Sequence, residues 1–108
     1  MVVRTEVGDL VTEPDGERLP VGTAVDAFVR PERIELRRSD GAPVENALVA
    51  RVERVVFSGA TVSVEVRLTT GRLLTVDQPS GGPAESLVAG QPVAAVIPPE
   101  ALRLIRRA

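Results

Sequence analysis

Cysteine, histidine, lysine, tryptophan and tyrosine are all missing from this 108-residue sequence. Without cysteine there is no disulfide framework, redox pair or thiolate zinc site. Without histidine there is no histidine-based triad, no HExxH zinc site and no ordinary general base near pH 7. All 13 basic residues are arginine. A phosphate loop of the GK[ST] kind and Schiff-base chemistry both need lysine, so both are excluded. Long apolar runs are missing too. The longest, Val93 to Ile97, is far too short to span a membrane, and nothing at Met1 resembles a signal peptide. The net charge is −2 and the pI about 5.2, which does not favour nucleic acid. What is present suits one ordinary soluble, cytoplasmic domain: 44% hydrophobic residues, 26% charged residues and a mean hydropathy of +0.11. By surface scaling such a chain buries about two-thirds of its extended surface, enough for a core without staples.

The sequence repeats itself. Gly22 to Leu36 and Gly90 to Leu104 align at an offset of 68, with six of fifteen positions identical: Gly22/Gly90, Val25/Val93, Ala27/Ala95, Pro31/Pro99, Glu32/Glu100 and Leu36/Leu104. Upstream, residues 3–12 align with 66–75 at an offset of 63, with five of ten identical, among them Gly8/Gly71 and Leu10/Leu73. The division expected is a first half over residues 1–38, incomplete at its N-terminus, a linker over 39–45, and a second half over 46–108. Residues 46–60 have no counterpart ahead of Val2. The edge of residues 2–7 is therefore expected either to share that segment within one barrel or to pair with a second chain. The gap leads to the expectation that either the first copy evolved shorter or the chain is a C-terminal piece of something longer.

Period-two patterning dominates, which indicates strands. Val62, Val64, Val66 and Leu68 face inward, and Ser63, Glu65 and Arg67 outward. Leu48, Ala50 and Val52 alternate until the phase breaks at Glu53-Arg54, the mark of a β-bulge. Ser58-Gly59 and Thr70-Gly71 read as hairpin turns. The single helical turn expected is at 84–88, entered through Pro83. Phe28 and Phe57 lie among apolar residues and are expected in the core. Together these predict an all-β fold, built as small OB-like barrels with an internal duplication.

Candidate functional residues are few. Glu32 and Glu100 recur at one place in both copies, and Arg30 stands beside the first. They suggest a partner or ligand contact, against the plainer alternative of turn caps or ion pairs. Ser58-Gly59 and Gly81-Gly82 present backbone N–H groups of the kind that hold an anion. Arg37, Arg38, Arg103, Arg106 and Arg107 make a modest basic patch. Single-strand binding by an OB barrel relies on stacking aromatics, and two phenylalanines do not supply them.

The stretches 45–77 and 87–105, with the upstream 29–36, resemble the TOBE (transport-associated OB) family. The motifs carrying the likeness are Val29-Arg30-Pro31-Glu32, then Phe57, Gly59 and Gly71, then Gly90 and Val93. That family sits at the C-terminus of ATP-binding subunits of bacterial ABC importers, and the flavour is nearest the spermidine/putrescine or ferric-iron type. The resemblance implies a non-catalytic, regulatory domain of a cytoplasmic subunit peripheral to the inner membrane. The partners it implies are a second copy of the subunit, the parent ATPase domain and the membrane permeases, with no nucleic acid and no membrane insertion. It implies no cofactor. The sequence holds no phosphate loop, ABC signature or acidic Walker B strand. A related duplicated barrel binds molybdate or tungstate through a serine-arginine-asparagine segment, and here that place reads Glu45-Asn46-Ala47-Leu48. The alternatives are thus an oxyanion-binding module and a nucleic-acid-binding OB domain.

Overall fold

The computed structural model describes residues 2–12, 20–38 and 45–106. Among these there are nine strands, three short 3₁₀ turns and no α-helix. The strands are β1 (Val2–Thr5), β2 (Gly8–Val11), β3 (Val25–Phe28), β4 (Glu35–Arg38), β5 (Ala47–Ser58), β6 (Thr61–Leu68), β7 (Leu73–Pro79), β8 (Pro92–Val96) and β9 (Arg103–Arg106). The 3₁₀ turns are Pro31–Arg33, Pro83–Ser86 and Pro99–Ala101, each with proline at its start. Proline suits that position because its φ is preset and its missing N–H would have had no partner.

Five strands form one antiparallel sheet in the order β4-β8-β5-β6-β7. The sheet curls on itself. β7 meets the first 3₁₀ turn, and the Gln78 amide donates to the Ile34 carbonyl at 2.9 Å, so the far edges approach each other as in an OB-like barrel. The bulge lies where the phase break places it, between Val52 and Arg54. It keeps Ala50 and Val52 inward on one side and Val55 partly buried on the other. Val62, Val64 and Val66 are 0% exposed and Leu68 5%, each contributing about 1.5–3 kcal/mol by burial. Their alternates differ from expectation. Arg67 is exposed, but Ser63 and Glu65 are half-buried; Ser63 Oγ donates to Asp77 at 2.7 Å, and Glu65 accepts from Arg54.

The duplication has a structural form. Each copy runs turn, strand, 3₁₀ turn, strand. Gly22 and Gly90 both sit at positive φ, +92° and +88°, in turns closed by the same bond: Thr23 N–H to Pro20 O and Gln91 N–H to Val88 O. Only glycine takes the third position of such a turn without strain. The 3₁₀ turns match as well, Arg33 N–H donating to Arg30 O and Ala101 N–H to Pro98 O, both at 2.9 Å. The two strands of a copy do not pair with each other. They exchange: β3 pairs with β9 and β4 with β8. Ile34 and its counterpart Leu102, at 1% and 4% exposure, meet in the shared core with Leu10, Val76, Ala95 and Ile97.

Four expectations need correction. Phe28 and Phe57 are 52% and 61% exposed: β3 has a neighbour only in β9, and the outer end of β5 pairs only with β6. The strand within residues 46–60 does not pair along β1: β5 pairs with β6 and β8 and, among the described residues, β1 pairs only with β2, the hydrogen-bonded link to the first copy being the Asn46 side chain on Val11. Leu10 does not match Leu73. Val3 faces Leu10, but its counterpart Val66 faces Leu74, because the second hairpin turn is one residue longer, and one residue reverses the face of a strand. The helical turn is the 3₁₀ turn at Pro83–Ser86, slightly earlier and tighter than expected. Of the expected linker, 39–44 lie outside the described residues.

Candidate functional site

The expected site residues occupy separate surfaces. Arg30 caps the first 3₁₀ turn, Glu32 lies within it, and Glu100 lies within its counterpart. All three side chains are exposed, and among the described residues no ion pair joins Arg30 to Glu32. Ser58 ends β5 and pairs with Thr61, so the β5–β6 turn is Gly59-Ala60 rather than Ser58-Gly59, with Gly59 at φ +62°. Ser80 donates from its hydroxyl to Gly59 O at 2.8 Å and from its N–H to Ala60 O at 2.8 Å, fastening that turn to the end of β7. The neighbouring glycine pair is also engaged. Gly81 N–H donates to Glu85 Oε1 at 2.7 Å, so a carboxylate of the chain itself fills the place an anion would take. Of the arginine patch, Arg37 pairs with Glu35 at 3.1 Å. The Arg106 side chain and Arg107 lie outside the description.

Asn46 makes three side-chain hydrogen bonds. It sits at φ +59°, the left-handed region that asparagine tolerates better than most residues, and is 8% exposed. Its Nδ2 donates to Val11 O at 2.7 Å and to Ile97 O at 2.9 Å, while Oδ1 accepts from Val11 N–H at 2.7 Å. Ile97 N–H donates to the Asn46 carbonyl at 3.1 Å. One side chain thus extends the pairing of β2 and ties the β1–β2 hairpin to the end of β8. Thr12 supports the same junction, its hydroxyl donating to Leu102 O at 3.2 Å. An ion pair between Glu6 and Arg72 links the two hairpin turns. Sequence reading noted Asn46 as a departure from an oxyanion motif and missed this role. The signal was an asparagine opening a strand with no glycine beside it.

Arg54 forms a two-bond pair with Glu65, at 3.1 and 2.9 Å. The hydrogen bonds, and then the carboxylate charge, hold its guanidinium above its ordinary pKa. No group of three or more Asp and Glu positioned to hold a metal ion occurs among the described residues, and no helix of the structure is long and apolar enough to cross a membrane.

A cleft of about 860 Å³ opens between the β1–β2 hairpin and the start of β3. Val2, Val3, Arg4 and Asp9 line one side, residues 20–25 the other, with Leu104 at its floor. Arg4 and Asp9 face each other at 3.8 Å on the rim, with side chains 91% and 60% exposed. The walls are mainly apolar, and no catalytic constellation lies within them.

Comparison with known proteins adds three findings. The family model of the TOBE domain matches residues 27–105. The spermidine/putrescine import ATP-binding protein PotA of Pseudomonas fluorescens is 36% identical over 89 residues, a stretch covering 74% of this chain and 23% of that protein. The chain therefore spans about a quarter of the length of that relative. Among solved structures, the cytoplasmic molybdate-binding protein ModG, with molybdate bound, superposes with a TM-score of 0.70 at 22% identity, over 82% of this chain and 66% of that one. At that identity the likeness concerns the fold.

Proposed function

The chain belongs to the TOBE-domain family, and on that premise we propose that it is an accessory domain of an ABC importer's ATP-binding subunit, without catalysis of its own. The observation carrying this reading is the 36% identity to PotA over 89 residues, a level well above that to the molybdate-binding structure. The domain acts in transporter assembly and in sensing substrate or a regulator. Its partners are a second copy of the subunit, the ATPase domain and the permease subunits, at the cytoplasmic side of the membrane. It needs no cofactor. Arg30, Glu32 and Glu100, exposed on matching 3₁₀ turns, are the contacts we assign to those partners. Ser58 and Gly59 are assigned to the same role.

An oxyanion-binding function is the competing reading, favoured by the fold shared with ModG. Two features weigh against it. The Asn46 amide spends both its donor and its acceptor on backbone groups, and the Gly81 N–H is taken by Glu85. Thermal unfolding with added ligand separates the readings. A bound ligand at ~100 times its dissociation constant stabilises by about 2.7 kcal/mol. Molybdate, ATP and a single-stranded oligonucleotide are each expected to leave the melting temperature unchanged. A shift with molybdate would replace this proposal by the oxyanion reading. Expressed with a tag in its source cell, the chain is expected to co-purify with importer ATPase and permease subunits.

A further inference from the structure

We draw no further inference here: the strongest candidate, the exposed apolar face of the β3–β9 ribbon formed by Phe28 and Ile105, carries nothing, because nothing in the structure shows what covers it.

Discussion

The two repeat copies share six of fifteen residues and the same turn geometry, yet β8 is buried where β3 is open. Val93, Ala95 and Val96 are 1%, 0% and 5% exposed, whereas Val25 is half-buried and Ala27 and Phe28 are exposed. The difference follows the pairing: β8 lies between β4 and β5, while among the described residues β3 is paired only with β9. Burial here belongs to the neighbours of a strand and not to the strand. Apolar alternation records a face made to be covered, and only one copy has its cover within this structure.

The centre of the pseudo-symmetry is where the copies should behave alike, and breaking it should cost most. Ile34→Ala and Leu102→Ala are each expected to destabilise by about 2–5 kcal/mol, the usual range for emptying such a core site. Chemical denaturation measures both, and a cost confined to Leu102 would show that the first copy does not share the core. Asn46→Ala comes next, at about 3 kcal/mol, because buried backbone groups lose their partners. Asn46→Gly relieves the left-handed backbone but restores none of the bonds, so it should recover only about 1 kcal/mol. Full recovery would reduce Asn46 to a turn residue.

The comparison itself is sharpened by Val93→Ala against Val25→Ala. The first should cost about 1–3 kcal/mol and the second clearly less, because only Val93 loses fully buried methyl groups. Equal costs would mean the first copy is covered in solution. The smallest effect belongs to the exposed edge of the barrel. Arg54→Ala should cost little and lose that cost in high salt, as surface ion pairs do. A salt-independent cost would point to packing of the arginine stem.

What could be read from the sequence was local. The inward run Val62 to Leu68, the phase break at Glu53-Arg54 and the turns at Gly59 and Gly71 each depend on a few adjacent residues, and each was legible. Phe28 and Phe57 were not, because their exposure depends on which strands lie beside them. The frame of β2 was missed for a similar reason: a loop longer by one residue moves Leu74, not Leu73, opposite Val66. The duplication was visible, but the exchange of strands between copies was not, since alternation names no partner. The site was the least legible part. Arg30, Glu32 and Glu100 stand apart from the cleft.

The exchange of strands also sets an order in time. Hairpins such as β5–β6 close across two residues, whereas β3 can meet β9 only when Val25 reaches Arg106. Closing a loop of roughly eighty residues costs about 4 kcal/mol of chain entropy beyond the constant term. The local meander β5–β6–β7 is therefore expected to assemble early, with β8 and then β4 joining it. The β3–β9 ribbon should close last and open first. The same ribbon flanks the cleft, so the part of the molecule that arrives latest is the part that stays adaptable once folding is done.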